Sequence, residues 1–147
     1  MAAPRYRAWE FLHPHLVLRG QVTVDAAGLQ LTPQGGVAMV EDDESVRQAI
    51  LLLLSTTPGE RVMRPAYGCN LRRLAFAPND DTTAGLAIHY VRRALEQWEP
   101  RVDIVNIDAA RDVDDPARLD VELEYRVRST QRTAALTVAV PLAGEGA

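Results

Sequence analysis

The sequence predicts an α+β fold, with two main helices packed on a small, mostly antiparallel sheet and an irregular N-terminal arm. Three observations lead to this prediction. Apolar residues recur at helical spacing in two middle segments, apolar and polar residues alternate in the last third, and the first forty residues sustain neither pattern. We therefore divide the chain into an arm with short strands at residues 1–40 and a main domain at residues 41–147.

The pattern turns helical from Glu41, where residues 41–45 supply acids and candidate caps for the first helix. Ser45 and Gln48 have the spacing of a capping box, which makes Ser45 a candidate N-cap. The apolar residues that follow lie at i, i+3, i+4, i+7 and i+8, and they are Val46, Ala49, Ile50, Leu53 and Leu54. Pro58 and Gly59 should end this helix.

A short segment anchored by Leu71, Leu74 and Phe76 is expected to lead into the second helix. Residues 78–81 combine a proline, a turn residue and two acids, so we expect the helix to begin at about Thr82. Its apolar face comprises Ala87, Tyr90, Val91, Ala94, Leu95 and Trp98.

Three strands are predicted after the second helix. In the first strand the apolar alternation shifts phase at Val105, so this strand is either buried on both faces or carries a bulge. The second alternates regularly from Leu119 to Val127, which is typical of a half-buried antiparallel strand. The third, from Thr133 to Val140, should pair with the second. It should leave its own outer edge, or that of a neighbour in the sheet, unpaired.

Composition excludes several classes of function. The 147 residues carry 16 basic and 20 acidic side chains, mixed along the chain, for a net charge of -4, so neither nucleic acid nor anionic lipid is an expected partner. The apolar run at residues 50–54 is far shorter than the ~20 residues that a membrane-spanning helix needs, so no membrane insertion is expected. A single cysteine excludes an internal disulfide, and no start resembling a secretion signal is present, which predicts a cytoplasmic location in the producing cell. His13, His15 and His89 form no ligand-like grouping beyond the pair His13 and His15 on either side of Pro14, so we expect no metal and no cofactor.

Two rigid, charged turns are the most informative feature of the chain. The second consists of Glu99, Pro100 and Arg101, where the proline stops a helix between an acid and a base. Such turns typically present charged groups to a protein partner. The first turn also combines prolines and glycines with charges, and its candidate partner surface comprises Gly59, Glu60, Arg61, Arg64, Pro65 and Gly68.

The ordered set of motifs resembles a known family. The chain reads TPGERVMRPAYGCNLRRLAFAPND, then a helix, then WEPRVDIVNID. This order resembles the small baseplate wedge subunit shared by contractile phage tails, type VI secretion systems and extracellular contractile injection systems. The resemblance covers about residues 43–142. The residues of its motifs are closer to those of the phage and extracellular injector branch than to those of type VI secretion.

The resemblance implies a structural role in an assembled particle. Six copies would surround the tube at the top of the baseplate, each clamped to the core bundle of two larger wedge proteins, and tube and hub proteins are further candidate partners. Glu99, Pro100 and Arg101 would lie at the contact with that bundle. The family's sheet would offer an edge to the first sheath ring and so template sheath growth. In this chain the edge strand would comprise Thr133, Ala135, Thr137 and Ala139.

Simpler interpretations stand beside these roles. Glu99 and Arg101 form, on this view, only an exposed local ion pair worth under ~1 kcal/mol. Arg61 or Arg64 would satisfy the carbonyls at a helix end. Cys69 would be a small apolar filler with no reactivity.

Two other classes of function compete with a baseplate role. Members of this family have carried the label of tail lysozyme, yet glycoside hydrolysis needs a protonated acid and a second carboxylate across a cleft. Arginines follow Glu60 and Glu99 within two residues and would keep both ionised, so we expect no catalytic residues. The fold is also similar to that of a small bacterial regulator, which suggests a stand-alone adaptor, but the two charged turns argue against it.

Overall fold

The computed structural model describes residues 7–9, 11–12, 28–29, 33–36 and 39–143. Within these residues, four short strands lie before the first helix. Strand β1 (Arg7–Trp9) pairs antiparallel with β4 (Met39–Glu41), and β2 (Phe11–Leu12) pairs antiparallel with β3 (Gly28–Leu29). His13 and His15 lie outside the described residues, and the division of the chain at residue 40 stays a prediction.

Helix α1 spans Asp42–Ser55 and carries three acids in its first turn, where they oppose the positive end of the helix dipole. The predicted capping box is wrong, because the helix begins at Asp42 and Ser45 is buried inside the first turn. The predicted apolar face is largely confirmed, since Ala49 is half-buried and the other four residues are buried in the core. The helix therefore meets the core along the stripe that the spacing predicts.

A short 3-10 helix, Asn70–Leu74, connects the two main helices and buries Leu71 and Leu74. The expectation that Phe76 also anchors this segment is wrong. Its side chain is 83% exposed, and its backbone adopts φ 66°, while its N–H donates to the carbonyl of Leu142. The backbone of this residue, and not its side chain, attaches the connection to the end of the sheet.

Helix α2 spans Asp81–Trp98. Its N-cap is Asp80, whose carboxylate accepts from the N–H of Thr83 at 2.9 Å, and this bond lowers the pKa of that carboxyl. The predicted apolar face is confirmed, with Tyr90 and Trp98 half-buried and the remaining four residues buried. The helix packs mainly on the first strand of the sheet and also contacts α1.

The sheet has three antiparallel strands, β5 (Val102–Arg111), β6 (Arg118–Val127) and β7 (Thr133–Pro141), in the order β5-β6-β7. Two helices on one face of this sheet give the α+β fold that the sequence predicts. The phase shift in β5 is a bulge, since the register shifts between Ile104 and Asn106.

Strand β6 supplies the centre of the core. Its inward side chains each retain about 1% exposure, and they are Leu119, Val121, Leu123, Tyr125 and Val127. The alternate residues of β7 that lie beside them, Leu136, Val138 and Val140, are also buried. Both helices cover this face, so one side of the sheet is core and the other meets solvent.

Candidate functional site

The first charged turn, residues 57–68, is closed by its own backbone hydrogen bonds. The N–H of Gly59 donates to the carbonyl of Pro65 at 2.7 Å, which joins the two arms of the turn. Inside it, Arg64 donates to Arg61 at 3.3 Å, and Tyr67 donates to Arg64 at 3.0 Å. The side chains on this turn therefore stand on a hydrogen-bonded frame.

Gly68 fixes the base of this turn. Its φ is 138°, and a Cβ placed on it would lie 2.5 Å from the carbonyl oxygen of Thr56 and 2.8 Å from the nitrogen of Pro58. The next residue, Cys69, donates its N–H to that same Thr56 carbonyl at 2.8 Å. Only glycine allows the returning chain to approach the end of α1 so closely.

The second turn contains a partly buried, bidentate ion pair. Arg101 donates from Nε to Oε1 of Glu99 at 2.5 Å and from Nη2 to Oε2 at 2.9 Å. The Glu99 side chain is 6% exposed and that of Arg101 is 28% exposed. The pair is thus local, as the simpler interpretation holds, but it is not the exposed pair that this interpretation expected. Pro100, between them, is exposed.

The two turns meet in space through aromatic side chains. The ring of Tyr67 contacts that of Trp98 edge-on, with centroids 5.4 Å apart, and the guanidinium of Arg61 lies 4.7 Å above the Tyr67 ring. Burial raises the pKa of Tyr67, with Arg61 opposing the shift and the charge of Glu99 adding to it. We call residues 60–67 together with 98–101 the two-turn surface. Tyr67 joins two motifs that lie more than thirty residues apart in the sequence.

The charged residues of the first turn have partners that differ from those expected. Glu60 pairs with Arg72 at 3.4 Å, whereas the sequence pointed to the arginine beside it. Ser55 and Thr56 donate their hydroxyls to the carbonyl of Leu52 at the end of α1, the role considered for Arg61 or Arg64. Both arginines lie at the surface of the turn.

Sequence reasoning missed four residues of this surface. Tyr67 and Trp98 connect the turns, and the sequence carried a signal for them, because each motif has one aromatic residue within two positions of its proline or glycine. Val62 and Met63 occupy the tip of the first turn and are 94% and 91% exposed. The sequence could have indicated these two residues, because they are apolar in an otherwise charged turn.

The outer edge of β7 is the second feature of interest. The N–H of Val127 donates to the carbonyl of Arg132, and the N–H of Leu142 donates to that of Ala117, which fixes the hydrogen-bonding phase of β6 and β7. Antiparallel pairing alternates, so even-numbered residues of β7 bond to β6. The main-chain groups that point away from β6 therefore belong to Thr133, Ala135, Thr137 and Ala139. Pro141 also lies in this outward phase, but it contributes only a carbonyl because proline has no backbone N–H.

Strand β7 forms one border of the three-stranded sheet, and within the described residues no strand pairs with its outer side. Its register with β6 runs without a shift from Arg118↔Pro141 to Arg126↔Thr133. The opposite border, β5, is interrupted by its bulge at Val105. Bulges twist an edge away from further pairing, so β7 is the more regular of the two edges.

The described residues offer little for catalysis or metal binding. Among them, no group of three or more His, Cys, Asp or Glu side chains is placed to hold a metal ion. Cys69 is buried, and burial raises the pKa of its thiol to about 11, which keeps the thiol protonated at neutral pH. None of the helices in this part of the chain has the length and apolarity that crossing a membrane requires.

Comparison with known proteins identifies the family. A family model described as baseplate wedge protein gp25 matches residues 40–132, more than half of the chain. The chain belongs to the baseplate wedge protein gp25 family. The two turns and helix α2 between them lie inside the matched region, and strand β7 follows directly after it.

Several relatives of this baseplate wedge chain are similar over most of their length. Baseplate protein W of Escherichia phage P2 is 32% identical over 101 residues, which are 69% of this chain and 86% of that protein. A Geobacter sulfurreducens crystal structure described as a tail lysozyme has a TM-score of 0.66 and 38% identity, covering 75% of this chain and 100% of its own. A chain in the postcontracted baseplate of pyocin R2 has a TM-score of 0.55 and 27% identity, covering 67% and 97%.

The close approach at Gly68 gives a stability prediction. Gly68→Ala should lower the free energy of unfolding by about 2–4 kcal/mol, because the methyl group meets backbone atoms and the φ of 138° disfavours any side chain. Gly85→Ala is the control, since Gly85 lies inside α2 with nothing within 4 Å of an added Cβ, and it should gain about 0.5–1 kcal/mol. Urea denaturation measures both. A Gly68→Ala protein as stable as the parent would contradict the role given to this glycine.

Proposed function

We propose that this baseplate wedge component has a purely structural role with two contacts. The two-turn surface clamps the core bundle of two larger wedge proteins, with Glu99, Pro100 and Arg101 at the contact. The outer edge of β7 receives a strand from the first sheath ring. Six copies act in this way around the tube. The observation that carries the proposal is the joining of both charged motifs into one rigid surface by Tyr67.

The Glu99–Arg101 pair suits a contact with a protein partner because it is oriented before binding. Two hydrogen bonds from one guanidinium to one carboxylate fix its plane, and Glu99 is itself held in the core-facing side of the turn. Arg101 remains partly accessible, so a partner meets a cation whose side-chain entropy is already restricted. Preorganisation of this kind reduces the conformational entropy that side chains lose when an interface forms.

The edge of β7 suits strand addition for a backbone reason. Three consecutive outward positions, Ala135, Thr137 and Ala139, have small side chains and main-chain donors that point away from β6. An added strand needs such donors on a regular repeat of two residues. Pro141 supplies no donor, so the addition would end there. The bulged β5 edge lacks this regularity.

The absence of enzymatic activity is part of the proposal. The two acids considered for catalysis both form ion pairs with arginines, Glu99 with Arg101 and Glu60 with Arg72. Glycoside hydrolysis instead requires one acid kept protonated in an apolar site. The name of the Geobacter relative is thus not carried over to this chain.

The first test concerns activity. The purified chain should leave suspensions of purified cell walls turbid, because no acid–nucleophile pair is assigned. Clearing of the suspension that disappears in either Glu60→Gln or Glu99→Gln would contradict a purely structural role.

The second test separates folding from assembly at the wedge contact. Arg101→Ala alone should cost up to about 3 kcal/mol of stability, because it leaves the carboxylate of Glu99 buried without its partner. Glu99→Ala with Arg101→Ala removes both charges, so the double variant should be more stable than the single variant and should fold. It should nevertheless fail to join baseplates, as judged by electron microscopy of particles. Normal particles built from the double variant would rule out this contact.

The third test uses the alternation along β7. Thr137→Pro removes a main-chain donor on the outer edge, so the domain should fold and enter baseplates while sheath fails to grow. Thr137→Ser keeps that donor and should behave like the parent chain. Leu136→Pro removes a bond to β6 and should unfold the domain. The readout is the number of sheathed tubes relative to bare baseplates. Full-length sheath on folded Thr137→Pro protein would show that another edge is the template.

A further inference from the structure

The tip of the first turn presents two adjacent apolar side chains on a rigid frame. Val62 and Met63 are almost fully exposed, whereas the apolar residues on either side of this turn in the sequence, Leu54 and Leu71, are buried. The hydrogen bond from Gly59 to Pro65 closes the turn directly beneath them. The tip is therefore a preformed projection, and holding it out in solvent gains nothing for the isolated fold.

Positive charge lies on both sides of this tip in the turn. Arg61 and Arg64 flank Val62 and Met63 in the turn and are exposed, while the one acid of the turn, Glu60, is paired with Arg72. A partner that covers the tip must therefore tolerate a basic rim. Complementarity requires acidic groups around an apolar floor on that partner.

The tip is continuous with the surface already assigned to the wedge contact. Arg61 lies over Tyr67, whose ring contacts Trp98, the residue before Glu99. A partner that binds the Glu99–Arg101 pair is thus positioned next to the tip. The tip also projects from the turn, so it fits a groove and not a flat surface.

We infer that Val62 and Met63 form an apolar pin that inserts into an acidic-rimmed apolar groove on a larger wedge protein. This inference rests on the proposed wedge contact and adds to it the residues that supply the apolar part of the binding energy. Methionine and arginine are enriched at the centres of protein interfaces, and a flexible thioether adapts to an apolar groove. Arg61 and Arg64 would act at the rim, where charges govern association rate and salt dependence.

The experiment is co-expression of the tagged full chain with the two larger wedge proteins of the same gene cluster, followed by measurement of binding. Val62→Ser with Met63→Ser should fold like the parent and lower the affinity at least about tenfold, because truncating a buried interface anchor typically has an effect of this size. Val113→Ser is the matched control, since Val113 is an exposed valine on another loop, and its affinity should not change. Arg61→Gln with Arg64→Gln should weaken binding mainly at low salt.

Each outcome decides between distinct ideas. Unchanged affinity of the Val62→Ser, Met63→Ser protein, with the Glu99→Ala, Arg101→Ala protein impaired, overturns the pin and leaves the proposed function intact. A parent chain that does not bind the wedge proteins at all contradicts both. Concentration-dependent dimers of the parent chain that disappear in the Val62→Ser, Met63→Ser protein would assign the tip to a second copy and overturn the inference.

Discussion

The central strand β6 is the constraint on which the rest of the structure depends. It is hydrogen-bonded on both sides, and its five inward side chains are almost completely buried beneath the two helices. Because side chains alternate with a period of two, burying one face fixes the register of the strand. Once β6 is fixed, the phase of β7 follows, and so does the set of main-chain donors that face outward. The edge proposed to receive sheath is thus determined by the core.

The same sheet also positions the charged turns. Helix α2 packs on β5, so its last residue, Trp98, is held where Tyr67 of the first turn can contact it. The close approach of Gly68 to the end of α1 brings that turn into place from the other side. Two short motifs that have no stability of their own therefore become one surface through contacts with both helices. That arrangement explains how a small chain could hold a partner without a deep pocket.

Much of this fold could be predicted from the sequence, because its signals are local. The helical spacing around Val91 and the alternation around Leu123 follow directly from geometry. The helical pattern was expected from Glu41, close to the observed start at Asp42, but the capping-box spacing of Ser45 and Gln48 was misleading because it falls inside the first turn. Phe76 was misplaced because an apolar residue after a short helix usually packs inward, and only the tertiary bond from its N–H to Leu142 turns its backbone.

The candidate site was less predictable because its parts come together only in three dimensions. The charges of the two turns were visible in the sequence, but the Tyr67–Trp98 contact and the Glu60–Arg72 pair depend on packing. The outward donors of β7 could be located only after the register with β6 was known.

The most direct measurement is amide hydrogen exchange along β7, in the isolated chain and in sheathed particles. The account predicts that in the isolated chain Ala135, Thr137 and Ala139 exchange quickly while Leu136 and Val138 exchange slowly, and that all five are protected once sheath is attached. Outward amides that still exchange quickly in sheathed particles would contradict the claim that this edge is the template for sheath.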